Sequence, residues 1–412
     1  FDIPGYPAAT HKGSGIVLSQ VDSALIERCE VFNTGTANTA CGGPGGIWVW
    51  GANRVRIQFC ESHHNSSGTG NGCDGLGFDL DGGVTNSVIQ YCYSHNNDGA
   101  GYLLGNFDGA RPWGNNTVRY CISVNDARTN NSPATLFTAP NTSWKGLKFY
   151  HNTIWANPSA KNTYPAFSAF QMTDYGSTME QVACYNNIFV TTGGLRLLHV
   201  PATFVPQQPA FQGNLYWTGG QPFRMHYGKD LTALSDFRNA GTQCEKLMGN
   251  PTGMEADPLL VNTTRFPLTL APQPTEALNA FLLSAASPAR AAALDLKTLF
   301  GIDAGVRDYW GNPIATATGR DIGAHAFSPT SGLDVQETSL LLYPNPAQDQ
   351  VLIQFFQPFT VSVFTIDGRC VWPEQSFPAG TAVLELDTLP AGLYFVRVKG
   401  NAATLSRLLR VH

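Results

Sequence analysis

The sequence predicts an all-β fold built from stacked coils, because a repeat and a set of short strand patterns run through its first half. The repeat is an apolar residue, two variable positions and then Cys or Asn. Seven occurrences, spaced 27 to 35 residues apart, end at Cys29, Cys60, Cys92, Cys121, Asn152, Asn187 and Asn214. Units of this length bury their apolar faces only by stacking on one another, and no helical stripe is long enough to compete.

A glycine-led strand precedes each of the early repeats. Residues 46–50 read GIWVW and residues 77–81 read GFDLD. Successive side chains of a strand point to opposite faces, so the Ile, Val, Phe and Leu of these segments share the inner face. The residues left on the outer face of two adjacent strands are Trp48, Trp50, Asp79 and Asp81.

These segments, with the turns of residues 82–102, carry a family resemblance. They resemble the right-handed parallel β-helix of secreted carbohydrate-active proteins over about residues 13–218. Those relatives usually place Asn at the internal ladder position, whereas four coils here carry Cys, which packs as a small hydrophobe. Residues 308–313 and 320–325 look like the closing segment of such proteins. We therefore assign residues 1–327 to one β-helix domain, with late coils and a cap over residues 219–327.

The last part of the chain has a different pattern. After a linker at residues 328–337, short alternating strands with Asp-Gly and Pro-Ala-Gly turns predict a small β-sandwich over residues 338–412. The Tyr-Pro-Asn-Pro opening at residue 343 and the strand GLYFVRV at residue 392 resemble the C-terminal sorting domain of the type IX secretion system of Bacteroidota. That resemblance implies an Ig-like sandwich, handling by the secretion machinery, and a secreted or surface-attached protein.

The composition limits the choice of partners. The chain has 25 Lys and Arg against 30 Asp and Glu, a net charge of −5, and no basic stripe, which argues against nucleic acid. No apolar run is long enough to span a membrane. Cys41 and Cys73 each precede a glycine-rich strand on adjacent coils and could form a disulfide. We favour the interpretation that the cysteines are reduced and serve as packing residues, since the chain is not a small domain that depends on disulfides.

The outer Trp and Asp residues suggest a sugar-binding groove. Indole faces stack on pyranose rings, and Asp79 and Asp81 could act as general acid and general base. Their Cα atoms should lie about 6.6–6.8 Å apart, near the lower edge of the roughly 6.5–9.5 Å carboxyl separation of inverting glycosidases. The alternative is a structural cation: with Asp74 and Asp98 the pair could form an oxygen-rich calcium site. No other cofactor is required.

His63 and His95 stand in register on adjacent coils, each after a serine. His95 is a further catalytic candidate as a general base, and His63, Tyr102 and Arg111 are candidates for substrate binding together with Trp48 and Trp50. The two histidines could also bind a metal. The competing interpretation, a stacked and hydrogen-bonded polar column, is the one we favour for them.

Together these patterns predict a secreted or surface protein that processes polysaccharide. Glycoside hydrolysis through the paired carboxylates is the first hypothesis. A polysaccharide lyase is an alternative, although it needs cationic groups for a uronate and no tight basic cluster is present. A non-catalytic adhesin, filament or structural β-helix is the other alternative, because fold alone does not fix function.

Overall fold

The computed structural model describes residues 12–39, 41–68, 73–173, 176, 178–261, 278–314, 319–327, 341–343, 347–355, 358–378, 380–400 and 404–411. The chain divides into two compact units, Phe1–Phe327 and Ser328–His412, which are described separately. The linker predicted at residues 328–337 and the Pro-Asn-Pro segment at 344–346 lie outside the described residues.

The first unit is a β-solenoid of about seven turns with three parallel sheets along its length. Sheet I contains β1 (Ile16–Ser19), β4 (Ile47–Trp50), β7 (Phe78–Leu80), β10 (Tyr102–Gly105), β13 (Thr135–Thr138), β16 (Ser168–Met172), β19 (Arg196–Val200), β22 (Met225–Tyr227) and the antiparallel β23 (Asp230–Leu231). Sheet II contains β2 (Asp22–Glu27), β5 (Asn53–Gln58), β8 (Val88–Gln90), β11 (Trp113–Arg119), β14 (Ser143–Tyr150), β17 (Thr178–Tyr185) and β20 (Ala210–Gln212). Sheet III contains β3 (Glu30–Phe32), β6 (Glu61–His63), β9 (Tyr93–His95), β12 (Ile122–Val124), β15 (Thr153–Ala156), β18 (Ile188–Thr191), β21 (Leu215–Trp217) and β26 (Met254–Glu255).

The apolar position of the sequence repeat forms one continuous column in sheet II. Ile57 pairs with Ile26 on one side and with Ile89 on the other. The same register continues without a slip through Val118, Phe149, Cys184 and Phe211. All seven side chains are buried in the solenoid core. Burial of such side chains contributes roughly 1.5–3 kcal/mol each, so the repeat specifies both the coil length and the register.

The Cys or Asn position of the repeat lies at the bend between sheets II and III, and its two halves behave differently. Asn187 Oδ1 accepts hydrogen bonds from the backbone N and Nδ2 of Asn152, both at 3.0 Å. On the next coil, Asn214 Oδ1 accepts from the backbone N and Nδ2 of Asn187 in the same way. The thiols of the earlier coils bond only weakly to the carbonyl two residues before them, as Cys92 does to Gln90 at 3.3 Å. The cysteine half is therefore held by packing rather than by an amide ladder.

A second ladder, which the sequence analysis missed, follows the strands of sheet III. Asn65 Oδ1 accepts from Thr34, Asn97 Oδ1 accepts from Asn65 at 2.8 Å, and Asp126 Oδ1 accepts from Asn97 at 2.8 Å. This ladder packs against the glycines that open three early strands of sheet I, Gly46, Gly77 and Gly101. A Cβ atom at Gly77 would stand 2.2 Å from Ser94 Oγ, so these strands need glycine because of close packing.

The region after the coils has two parts. Helix α1 (Leu234–Ala240), between the 3-10 helix Ala202–Gln207 and the strands β24 (Lys246–Leu247) and β25 (Asn250–Pro251), closes the end by placing Phe237 against Phe211 and Tyr216. In the described parts of residues 278–327, the 3-10 helix Asn279–Phe281 packs along the outer face of sheet III, whereas helix α2 (Leu296–Phe300) packs against Tyr150 and Tyr185 of sheet II. The outer face of sheet III is apolar and needs cover, because the outward residues of β12 and β18 include Ile122 and Val190.

The structure corrects one cysteine expectation. Cys41 and Cys73 form a disulfide between adjacent coils, so the favoured interpretation of reduced thiols is wrong for this pair. The ladder cysteines remain free, including Cys60, Cys92 and Cys121. A disulfide is the pattern of a protein exposed to an oxidising environment.

The second unit is a sandwich of two antiparallel sheets. One contains β27 (Leu341–Tyr343), β28 (Gln350–Phe355) and β31 (Gly380–Glu385), and the other contains β29 (Phe359–Thr365), β30 (Cys370–Phe377), β32 (Gly392–Lys399) and β33 (Thr404–Val411). Its core is separate from the solenoid and includes Val351, Ile353, Val361 and Val396. Within the described residues of both units, no helix has the length and apolar character needed to cross a bilayer.

Candidate functional site

The outer face of sheet I brings the predicted Trp and Asp residues together. In β4, Ile47 and Val49 are buried while Trp48 and Trp50 are partly exposed. Trp48 pairs directly with Asp79 on the next coil. The alternation expected from the sequence therefore describes this face correctly.

A second pair lies two residues further along the same strands. The backbone N of Asp81 donates to Val49 O at 2.9 Å, and Gly51 N donates to Gly82 O at 2.7 Å. These bonds bracket Trp50 and place it opposite Asp81. Two indoles thus stand beside two carboxyl groups on one sheet face.

Burial and like charge set the protonation of the two carboxyl groups. Asp79 is 5% exposed, and its buried Oδ1 has no hydrogen-bond partner among the residues that the structure describes. Burial above all, then the charges of Asp81 and Asp74, raise the pKa of Asp79 well above its ordinary value. Burial also raises the pKa of Asp81 to about 6, against the lowering effect of the Gly82 N–H. Burial therefore favours the protonated form of Asp79, while most Asp81 groups are ionised at neutral pH.

A cavity of about 290 Å³ is lined by Leu103, Leu136 and Gln171, but neither Asp79 nor Asp81 lines it. These three residues follow Asp79 in the outward column of sheet I, coil by coil. The cavity wall includes Tyr164, whose hydroxyl accepts a hydrogen bond from Gln171 Nε2 at 2.7 Å. A strip of apolar and amide side chains thus leads away from the carboxyl pair. Leu136 and Gln171 of this strip lie on strands without a leading glycine, so the sequence alone does not reveal it.

Two predicted substrate-binding residues do not belong to this face. Tyr102 is fully buried, stacks on Phe78, and donates its hydroxyl to Cys92 O at 2.8 Å. Its assignment is wrong because it pairs with Phe78 and so shares that residue's inward direction. Arg111 lies at the turn between sheets I and II, near Gly51 and Gly83, where its guanidinium donates to Gln20. It borders the face without contacting the carboxyl groups.

The two predicted histidines lie elsewhere in the coil. His63 and His95 belong to sheet III and stack on each other with ring centroids 4.6 Å apart. Grouping them with Asp79 and Asp81 is therefore wrong, since the aspartates lie on sheet I. Their stacking in register is as expected, and the neighbouring His64 joins them edge-on.

The structure separates the aspartates of the calcium hypothesis. Asp74 acts electrostatically on Asp79 and Asp81, but Asp98 lies on the loop after sheet III, where it accepts a hydrogen bond from Thr129 and influences His64. Within the described residues, groups of three His, Cys or acidic ligands within 4.8 Å of one another occur only as His63, His64 and His95, and as Glu30, Glu61 and His63. The four aspartates are not such a group.

Comparison with protein families agrees with both units. Residues 9–189 match the family described as right-handed beta helix region, and residues 341–411 match the secretion system C-terminal sorting domain. No curated protein matches the chain. The sorting domain indicates export by the type IX system to the cell surface or the medium, and it implies a bacterium of the Bacteroidota. The chain is therefore a secreted right-handed parallel β-helix protein with a type IX secretion C-terminal sorting domain.

Proposed function

We propose that the protein hydrolyses a neutral polysaccharide on the outer face of sheet I, with Asp79 as general acid and Asp81 as general base. The observation that carries this proposal is the buried Asp79 carboxyl group, which lies opposite Trp48 and two residues from Asp81 and has one oxygen without a partner among the described residues. Burial raises its pKa well above the ordinary value, which suits a general acid. A sugar ring that stacks on an indole of this face would stand beside both carboxyl groups.

The spacing of the two groups favours direct displacement by water. Side chains at i and i+2 of a strand share one face with Cα atoms about 6.6–6.8 Å apart. From that spacing, side-chain rotation can bring the carboxyl groups into the roughly 6.5–9.5 Å range that leaves room for a water molecule beside the sugar. Asp79 would donate its proton to the glycosidic oxygen as the bond from the anomeric carbon breaks. Asp81 would take a proton from the water that attacks that carbon. The products are two shorter glycans, one with a new reducing end of inverted configuration.

The charge of the face argues against elimination from a uronate. The charged groups that act on Asp79 are Asp81 and Asp74, so a bound uronate would meet acidic groups. A lyase site instead needs cationic groups near the substrate carboxylate. A neutral glycan therefore fits this face better than an acidic one.

The test is a glycan panel assayed for new reducing ends and for the absorbance of unsaturated products. We expect reducing ends without absorbance, and a fall in kcat/KM of about 10²–10⁴ for Asp79→Asn and for Asp81→Asn. Asp236→Asn, an exposed acid on α1, is the matched control and should keep full activity. Activity should rise as Asp81 ionises near pH 6 and fall at higher pH when Asp79 loses its proton.

Three outcomes would contradict the proposal. Full activity of both aspartate variants would exclude the assigned roles. Unsaturated products would indicate a lyase. Glycan binding without turnover across the panel would indicate a non-catalytic surface protein.

A further inference from the structure

Three histidines meet at one corner of sheet III, away from the face described above. One ring nitrogen from each of His63, His64 and His95 lies within 4.8 Å of the other two. The Nδ1 atoms of His63 and His64 are 2.6 Å apart. The rings of His63 and His95 are parallel, and His64 stands edge-on to both.

Each ring is held through its other nitrogen. His95 Nε2 lies 3.0 Å from Glu61 Oε1, and His63 Nε2 lies 3.3 Å from Glu30 Oε1. A carboxylate that accepts from Nε2–H fixes the tautomer whose Nδ1 carries a lone pair, which in His63 faces His64 Nδ1. Carboxylates in this position orient the imidazole ligands of metal sites. Asn96 contacts Nε2 of His64 at 3.5 Å and can present its amide oxygen by a flip.

The lone pair of His95 Nδ1 has no partner. His95 is 1% exposed, and its Nδ1 is buried without a hydrogen bond within the described residues. Stacking explains why the ring packs well between His63 and Tyr93, but it leaves this nitrogen unsatisfied. A cation at the centre of the three rings would supply the missing partner.

The backbone at His64 gives a second reason to assign a role to this cluster. His64 has φ 54°, and the residues at the same corner of other coils are Asn33 at 54°, Asn96 at 54° and Asn125 at 53°. Asparagine is favoured in this left-handed conformation. Here the chain places an imidazole where the other coils have an amide, at the one corner where two further imidazoles converge.

We propose that His63, His64 and His95 bind one divalent transition metal ion through their Nδ1 atoms, with zinc the best fit. Three imidazoles with no thiolate suit Zn²⁺, and they match catalytic zinc sites that keep a fourth position open. Two imidazoles on a tetrahedral zinc ion hold their nitrogens about 3.3 Å apart, so small ring rotations adapt the present spacing. Glu30 is exposed and His64 partly so, which gives the ion a path from solvent.

The test measures zinc binding rather than catalysis, so its outcome is independent of the hydrolase proposal. The untagged chain with Cys370→Ser, which removes the exposed free thiol, is treated with chelator, dialysed and titrated with zinc chloride by calorimetry. We expect one equivalent to bind with micromolar or tighter affinity. Cobalt should give visible d–d absorption that zinc displaces.

His64→Asn is the informative variant, because asparagine occupies this corner in other coils and should preserve the fold. It should weaken zinc binding at least 10-fold and abolish the cobalt absorption. His226→Gln removes a partly exposed histidine that pairs with Asp230 on sheet I, and it should bind zinc like the parent chain. No stoichiometric binding in the parent chain would overturn the proposal. Unchanged affinity in His64→Asn, or an equal loss in His226→Gln, would overturn it as well.

Discussion

At the scale of single residues, both internal ladders end on a buried carboxyl group. Each ladder asparagine donates from Nδ2 to the oxygen of the next coil, so the last residue must accept without passing a donor onward. Asp126 does this for Asn97, and Glu245 does it for Asn214 at 2.8 Å. A carboxylate offers only acceptors, which makes it the natural end of such a chain. Its cost is burial, which raises the pKa of both acids.

Replacing Asp126 with Asn should therefore change the pH dependence of stability. Burial raises the pKa of Asp126 to about 6, so the folded protein holds this proton more tightly than the unfolded chain. The resulting stabilisation is complete below about pH 4 and is lost as the pH rises through 6. Asn mimics the protonated carboxyl group: its oxygen can accept from Asn97, and its amide can donate to Ser123 Oγ.

The measurement is the free energy of unfolding of the parent chain and of Asp126→Asn at pH 4 and at pH 7. Between pH 4 and pH 7, we expect the free energy of unfolding of the variant to rise relative to that of the parent by on the order of 3 kcal/mol. The buried histidines and other acids titrate in both proteins, so the comparison cancels them. A difference that is constant with pH would show that Asp126 has an ordinary pKa.

The alternation of side chains along a strand accounts for most of the side-chain directions that the sequence predicted correctly. The direction of Trp48 and Asp79 follows from alternation alone. Tyr102 was misassigned although the same rule applies, since Gly101-Tyr102 aligns with Gly77-Phe78 and places the ring inside. Register between His63 and His95 was also readable from the spacing. Their separation from the aspartates was not, because it depends on which of three sheets each short strand joins.

At the scale of elements, the two halves of the bend column should differ in stability. Asn187 bonds to Asn152, to Asn214 and to Phe149 O, whereas the Cys92 thiol makes only weak hydrogen bonds, to Gln90 O and to the neighbouring thiols. Asn187→Ala leaves several buried polar groups unpaired, at roughly 1–3 kcal/mol each. Cys92→Ala removes mainly a buried sulfur, which costs about 1–2 kcal/mol.

Urea unfolding followed by circular dichroism checks this difference. We expect a clearly lower unfolding midpoint for Asn187→Ala than for Cys92→Ala. Equal midpoints would mean that the asparagine ladder adds no more than packing, and that cysteine replaces the amide without loss.

The last segment of the β-helix unit, which precedes residue 328, is an element whose position the sequence did not predict. Motifs at residues 308–313 and 320–325 correctly drew attention to it, but a cap over the solenoid end was the expected place. Outward apolar residues on β12 and β18 require cover along the side of sheet III instead. The sequence does not predict this requirement, because it does not show whether an apolar residue of these short strands points into the core or out of it.

At the scale of the whole molecule, the solenoid and the sorting sandwich have separate cores. The solenoid core is closed by α1, and its outer faces are covered by the described residues of 278–314 and 319–327, all of which precede residue 328. A chain that ends at Phe327 should therefore keep the thermal transition, glycan activity and zinc affinity of the longer protein. It should also fail to cross the outer membrane of a Bacteroidota host, because the segment matched by the sorting domain is missing.

Fractionation of cells that express either chain tests both halves of this prediction. The full chain should reach the surface or the medium, and the truncated chain should accumulate in the periplasm with an unchanged thermal transition after purification. Catalytically inactive full-length Asp79→Asn is the matched control, since it should be exported normally if sorting depends on residues 328–412 alone. Export of the truncated chain would contradict the conclusion that the C-terminal sandwich carries the secretion signal. A lower thermal transition would instead show that the β-helix depends on the second unit for its stability.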